Sequence, residues 1–249
     1  MRKSIQDFAW QIDCVSRHGV ENVSLGLYLS LSPDWYASSQ SLVEPFGGKA
    51  IPDETDAAHW WAMPAVSDPA DALELEAPRT LGPQIEKAVH LIEYMRDSVE
   101  GAYPVGGFVL TGPLDTASYV MGFQSLMEAI YEHPEAVEHV CSIVTDFLLF
   151  FIPVLLRASD PEITGEGISS AGCYLCCETR AVLSDAVVAQ FEVPYLKRIR
   201  DAFGSLHIHS CGNWVQHMGR LARERYADSI DFGHPECDFK QVASIVEGA

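Results

Sequence analysis

Positive charge is scarce in this chain of 249 residues: 16 lysines and arginines stand against 35 aspartates and glutamates, a formal net charge of −19. Such a surface repels polyanions, so nucleic acid and anionic membrane surfaces are excluded as partners. A polyanionic small substrate would need a local basic pocket. Phosphate loops are missing as well. No G-x-G-x-x-G and no G-x-x-x-x-G-K-[ST] occurs, which counts against an open doubly wound nucleotide-binding sheet. The most apolar run, residues 147–156, is too short to span a bilayer and contains Pro153. No secretory leader is expected. The 7 cysteines are odd in number and unevenly spaced, which suits free thiols in a reducing compartment and not a disulfide framework. With 48% hydrophobic residues there is material for a sizeable core. The expectation is a soluble, cytoplasmic protein.

What is present centres on Leu206-His207-Ile208-His209-Ser210-Cys211-Gly212-Asn213. Residues 206–210 read as a short buried strand ended by Gly212 and Asn213. Period-two alternation puts Leu206, Ile208 and Ser210 on one face and His207, His209 and Cys211 on the other. Two imidazoles and a thiol then project together at a strand's C-terminal end. These are donors that zinc prefers. A buried cysteine beside core histidines gives the same pattern, and the spacing alone does not separate the two.

The rest of the chain alternates helices and strands. Apolar spacing predicts a helix over residues 4–18, and residues 23–31 fit a strand or a surface hairpin arm. Residues 32–82 show little periodicity; Trp35, Tyr36, Trp60 and Trp61 there either roof a pocket or anchor a loop. Residues 64–78 read as a connector. Helices are predicted over 83–99, over 115–130 with a break near Gly122, and from Pro134 through residue 151. A further helix from Ser184-Asp185 to Phe203 should kink at Pro194, and others cover 215–225 and the stretch from Phe239 onward. Strands are predicted over 104–110, 162–165, 206–210 and 229–232, with Cys173, Cys176 and Cys177 in a loop after the second. Strands separated by helices imply a parallel sheet with helical crossovers. A TIM (β/α)8-type barrel, incomplete at one or both ends, fits best; an open doubly wound sheet is the alternative. One domain over 1–249 is expected, with a divergent part over 1–82 and barrel units over 83–249.

In a barrel the chemistry gathers at the C-terminal ends of the strands. Thr111, Gly112 and Asp115 follow the first predicted strand; Glu166, Cys173, Cys176, Cys177 and Glu178 follow the second. His207, His209 and Cys211 lie at the third; His234, Glu236, Cys237 and Asp238 follow the fourth. Thiols, imidazoles and acids on one face point to a metal. Cys173-x-x-Cys176 reads either as a redox or zinc pair or as small residues lining a barrel mouth.

Gly107-Phe108-Val109-Leu110-Thr111-Gly112-Pro113-Leu114, residues 178–184, Pro194-Tyr195 and His209-Ser210-Cys211-Gly212-Asn213, in that order, resemble the uroporphyrinogen decarboxylase superfamily. They are most similar to its zinc methyltransferase branch, which moves methyl groups between corrinoid proteins and thiols such as coenzyme M. The resemblance runs from about Pro64 to about Gln241. It implies a TIM barrel, zinc held by His209 and Cys211, a small thiol substrate and a corrinoid-carrying partner protein.

The resemblance also implies a longer chain, with a third cysteine ligand in later strands. Cys237 is the only cysteine after Cys211 and is the expected substitute, with Glu236 next. Glu178 or Glu236 would complete the metal shell or position substrate, Thr111 and Gly112 would line the floor, and His207 would stand behind the ligands as substrate or hydrogen-bond partner. The decarboxylase branch binds its polycarboxylate with an arginine-rich motif near the start. Here only Arg2 and Arg17 precede Arg79, and neither sits in such a motif. A tetrapyrrole decarboxylase acting without metal, and a non-catalytic partial barrel, are the alternatives. A partial barrel exposes strand edges, so a homodimer is an expected outcome.

Overall fold

The computed structural model describes residues 39–53, 60–99, 105–107, 109–159, 168–169, 172–233 and 235–247. The helix expected over 4–18 and the strands expected over 23–31 and 162–165 lie outside the described residues.

The first part is mostly helical. A 3-10 helix, Ser39–Phe46, leads into a hairpin of β1 (Lys49–Pro52) and β2 (Trp60–Met63), paired antiparallel. Four-residue strands are too short for alternation to show in sequence, and this hairpin was not expected. Trp60 is buried in it, whereas Trp61 is exposed and donates to Asp53. Within the connector, α1 (Pro69–Ala72) is capped by the Asp68 carboxylate, which accepts from the Ala70 N–H. Next come α2 (Pro83–Val99), α3 (Pro113–Met121), α4 (Phe123–Glu132) and α5 (Pro134–Ala158). Gly122, at φ 82°, divides α3 from α4 in a conformation that side chains resist.

The 25-residue helix α5 is the hub. It is long and apolar enough to cross a membrane by length and composition, and 56% of its most apolar window is buried within the protein. The buried side is a continuous stripe: Val137, Val140, Cys141, Val144, Phe147, Leu148 and Phe151. Phe147 stacks on Phe151 and meets the edge of Phe46, with centroids 5.7 and 5.6 Å apart. Helices α1 to α4 all pack against it, as do α6 (Asp185–Phe191) and α7 (Val193–Phe203).

The second part is a four-stranded sheet in the order β3 (Ile168–Ser169), β4 (Gly172–Cys176), β5 (Leu206–Ser210), β6 (Ser229–Phe232). Strand β3 is antiparallel to β4; β4, β5 and β6 are parallel. Helices α6 and α7 form the crossover from β4 to β5, and α8 (Met218–Glu224) the crossover from β5 to β6; α9 (Phe239–Glu247) follows. The described residues thus form an open mixed α/β sheet with helical crossovers and not a closed barrel.

Three local expectations need correction. Cys173 and Cys176 are in strand β4, not in a loop. The stretch expected as a strand over 104–110 forms no strand among the described residues: Val105 makes an isolated bridge, and just past the stretch Thr111 bridges Cys176 in parallel. This second bridge is supported by the Cys176 N–H on Leu110 O at 2.8 Å and the Gly112 N–H on Cys176 O at 2.7 Å. Pro194 does not kink one helix: the chain breaks at Glu192, and the proline enters the first turn of α7, where a missing N–H costs nothing.

Gly112 makes this close approach possible. A Cβ there would lie 2.7 Å from the sulfur of Cys177, a fully buried side chain. Gly112→Ala should therefore destabilise the protein by about 1–3 kcal/mol through overpacking. Urea unfolding would measure it, and an unchanged midpoint would remove the steric argument.

Candidate metal centre

Strand β5 alternates as its sequence requires. Leu206, Ile208 and Ser210 are buried on one face, and His207 and His209 stand half-buried on the other. Parallel pairing then sets their neighbours. His209 lies opposite Cys176 on β4 and Asp231 on β6, and His207 lies opposite Tyr174 and Ser229. Directly opposed residues in a sheet share a face. The ladder alone therefore produces two rows, Tyr174–His207–Ser229 and Cys176–His209–Asp231, with the second nearer the strands' C-terminal ends.

Side-chain contacts lock both rows. His209 Nδ1 is 2.6 Å from Asp231 Oδ1. An ionised carboxylate can only accept, so Nδ1 carries the proton, and in the neutral imidazole Nε2 is then the lone-pair nitrogen. Nε2 faces the Cys211 sulfur at 2.9 Å and a Glu178 oxygen at 3.6 Å. His207 Nδ1 is 2.8 Å from Ser229 Oγ, and its Nε2 is 3.3 Å from the same Asp231 oxygen. The Tyr174 ring stacks on both imidazoles, with centroids 4.9 Å from His207 and 6.2 Å from His209.

Glu178 closes the site from the β4 side. Its carboxylate accepts the Cys211 N–H at 2.8 and 3.1 Å and the Ser210 hydroxyl at 3.3 Å. Ligand atoms of Cys176, Glu178 and His209 all lie within 4.8 Å of one another. Nitrogen, sulfur and carboxylate oxygen thus converge at one place.

Electrostatics there disfavour bare thiolates. Burial, then Glu178, Asp231 and Glu236, raise the Cys211 thiol above its ordinary value. Burial and Glu178 push the Cys176 thiol up to about 12. Burial opposes ionisation of Asp231, but hydrogen bonds from His207 and His209 outweigh it and hold the carboxyl below its usual range. A divalent cation is the charge that would reverse the balance at both sulfurs.

A second, fully buried cluster lies behind the site. Arg180 and Glu192 are each 0% exposed and form an ion pair at 2.8 Å. The contact is electrostatic and not a well-aligned hydrogen bond. The guanidinium sits 4.9 Å from the Trp214 ring and 5.8 Å from that of Tyr226. Asp115, Cys177 and Glu192 approach one another within 4.8 Å. Burial, reinforced by the Glu192 charge, raises the Asp115 carboxyl to about 7 despite its hydrogen bonds from Thr179.

The model of the family described as "Uroporphyrinogen decarboxylase (URO-D)" matches residues 60–247. This chain belongs to the uroporphyrinogen decarboxylase family. A solved structure described as a methyltransferase from Methanosarcina mazei superposes with a TM-score of 0.57 at 17% sequence identity, which supports the fold. The alignment covers 85% of this chain and 60% of that one. The chain therefore spans about three-fifths of the length of that structure. A comparison with curated proteins finds no match.

Within this member of the uroporphyrinogen decarboxylase family, the expected site residues separate into groups. His209, Cys211, Glu178 and His207 are together as described. Glu236 is exposed and near enough for its charge to act on Cys211. Cys237 is buried and donates to Gly212 O at 3.5 Å; it is outside the converging set. Thr111 is buried, its hydroxyl bonded to that of Thr116 at 3.0 Å, and Gly112 is buried beside Cys177. Asp231 and the Arg180–Glu192 pair were not singled out in the sequence. Asp231 had a readable signal: it is the strand residue aligned with His209 once both strands are placed in parallel.

Proposed function

We propose that this chain is a zinc-dependent methyltransferase that passes a methyl group between a corrinoid protein and a small thiol. The observation that carries the reading is the His209 imidazole, pinned at Nδ1 by Asp231 and presenting Nε2 beside the Cys211 sulfur. A carboxylate on the far nitrogen is the usual support of a zinc-bound histidine. The donors fit zinc in kind: imidazole nitrogen, thiol sulfur and carboxylate oxygen. At ordinary bond lengths and tetrahedral angles, two such donors on one ion lie about 3.6 Å apart. The 2.9 Å contact would widen by well under 1 Å when the thiol proton is displaced.

His209 and Cys211 would hold the ion with Cys176 as the third ligand, leaving a fourth position open to the substrate thiol. Bound zinc supplies one thing, a lowered pKa for a ligated thiol. Asp231 keeps the His209 tautomer fixed. Glu178, through the Cys211 N–H, holds the loop that carries the thiol. His207 and Tyr174 brace Asp231 and the imidazole from the side. Cys211 and Glu236 are exposed, so a small thiol and the methyl-bearing face of a partner protein have access from above. In this reading β4, β5 and β6 are an arc of a TIM (β/α)8-type barrel, and a cytoplasmic location and homodimer formation go with it. Decarboxylation of a polycarboxylate suits the site poorly. Arg180, on the loop after β4, is buried and committed to Glu192, while acids surround Cys211.

Elemental analysis should find about one zinc per chain, and a His209→Ala, Cys211→Ala double variant should carry less than about a tenth of that. Equal metal in parent and variant would sink the site. In a cobalt-substituted sample, Cys237→Ser should leave the sulfur-to-cobalt charge-transfer band intact and Cys176→Ser should weaken it. Calorimetry of thiol binding in buffers of different ionisation enthalpy should show proton release. Binding with no buffer dependence would count against thiolate formation at the metal.

A further inference from the structure

Asp115 has no place in the ligand set, yet one of its oxygens ties the site together. It lies in the first turn of α3, just past the Thr111–Cys176 bridge, and is 3% exposed. Its Oδ1 accepts three hydrogen bonds from the turn after β4: the Glu178 N–H at 2.8 Å, the Thr179 N–H at 2.9 Å and the Thr179 hydroxyl at 3.0 Å. Oδ2 has no hydrogen-bond partner among the described residues. A single buried acceptor oxygen therefore fixes the backbone from which the Glu178 side chain departs. That side chain in turn accepts the Cys211 N–H and the Ser210 hydroxyl.

The same turn is held at its other end. Arg180 inserts into the buried pair with Glu192, and its carbonyl is 2.9 Å from His217 Nε2. Held at both ends, the turn has little freedom to redirect Glu178. The path is short and made of specific bonds: Asp115 to the Glu178 main chain, the Glu178 carboxylate to the Cys211 main chain, Cys211 to His209.

We infer that Asp115 is the positioning residue of this centre, setting the Glu178 carboxylate, and through it the Cys211 loop, by way of three hydrogen bonds to one oxygen. The inference rests on the zinc reading for its consequence and on geometry alone for its existence. What matters is the acceptor at Oδ1, so Asp115→Asn should keep the function and Asp115→Ala should lose it. Misplacing a residue that supports metal ligands costs about 10–100-fold in affinity.

The test has two arms on the full chain. In the first, zinc affinity is measured by competition with a chromophoric chelator, and the cobalt spectrum is recorded for the parent, Asp115→Ala and Asp115→Asn. Asp115→Ala should bind zinc about 10–100-fold more weakly with an altered cobalt spectrum; Asp115→Asn should stay within about threefold of the parent with its spectrum. In the second arm, without metal, amide hydrogen exchange is followed residue by residue. Asp115→Ala should speed exchange at Glu178, Thr179 and Cys211. Glu178→Ala should speed it at Cys211 and leave Thr179 unchanged. Were Asp115→Ala not to fold, Thr179→Val removes one of the three bonds and should produce a smaller acceleration at the same amides. Faster exchange at Glu178 and Thr179 with Cys211 unmoved overturns the relay, and so does Asp115→Asn behaving like Asp115→Ala. A parent chain that takes up neither zinc nor cobalt overturns the metal reading instead, and the exchange arm then decides the role of Asp115 by itself.

Discussion

Glu192→Ala should cost about 3–5 kcal/mol of stability, because it strands the Arg180 guanidinium without its partner in a site with no solvent access. Domains of this kind are stable by only about 5–15 kcal/mol, so the variant should be poorly folded at physiological temperature. The cost does not mean that the pair is worth that much. Replacing both members together, Arg180→Met with Glu192→Leu, removes the desolvation of two charges and should be neutral or stabilising by about 1–4 kcal/mol. Chemical denaturation of the single and double variants gives both numbers. A single variant within about 1 kcal/mol of the parent would mean that the guanidinium is not truly stranded. Asp115 is one group that could soften the loss. The Arg180 charge already favours its ionised form, and Glu192 opposes it.

The second large effect is on pH dependence, and it comes from that same carboxyl. Asp115 has an ordinary value of 3.8 and a folded value of about 7. The folded state therefore prefers the protonated form. The associated stability is fully present below about pH 4 and is lost as pH rises through 7. Each unit is worth about 1.4 kcal/mol, so the whole change is about 4 kcal/mol. Asp185, Glu224, Asp228 and Asp231 have lowered values and the opposite sign; their contribution is lost on acidification below the ordinary carboxylate range, outside this window. The parent should lose stability as pH rises from about 4 to 7 and level off above 7. Asp115→Asn, neutral throughout and still presenting Oδ1 as acceptor, should be nearly flat and the more stable of the two at pH 8. Urea midpoints at four pH values would decide it, and parallel curves for the two proteins would refute the assignment.

Much of the second half was legible because its signals are local. Alternation in Leu206–Ser210 and the Gly212-Asn213 stop give β5 with its true bounds, and Ser229–Phe232 and Pro83–Val99 were equally plain. Strand β4 was not. Its Gly-Cys-Tyr-Leu-Cys sequence has little β preference of its own. It is extended because β5 and the Thr111 bridge pair with it from both sides. For the site, the pair His209 and Cys211 could be read from spacing, and Glu178 from its place after a strand. Asp115 too could be placed after a strand, but its bonds to Glu178 and Thr179, like that of Asp231 to His209, could not be read from spacing, since each reaches more than 20 residues along the chain, where register and packing set the partner. Nothing in the sequence marks Arg180 and Glu192 as buried; only the three-dimensional packing shows them inside.

Strand β5 is hydrogen-bonded on both sides, to β4 and to β6. The main chain beneath His209 is therefore immobilised when the protein folds, not when a ligand arrives. What a newcomer must still freeze is a handful of side-chain torsions, and several of those are already restrained by Asp231 and by the Cys211 amide. Little conformational entropy is left to lose at the moment of capture, so most of the interaction strength at this centre would register as affinity.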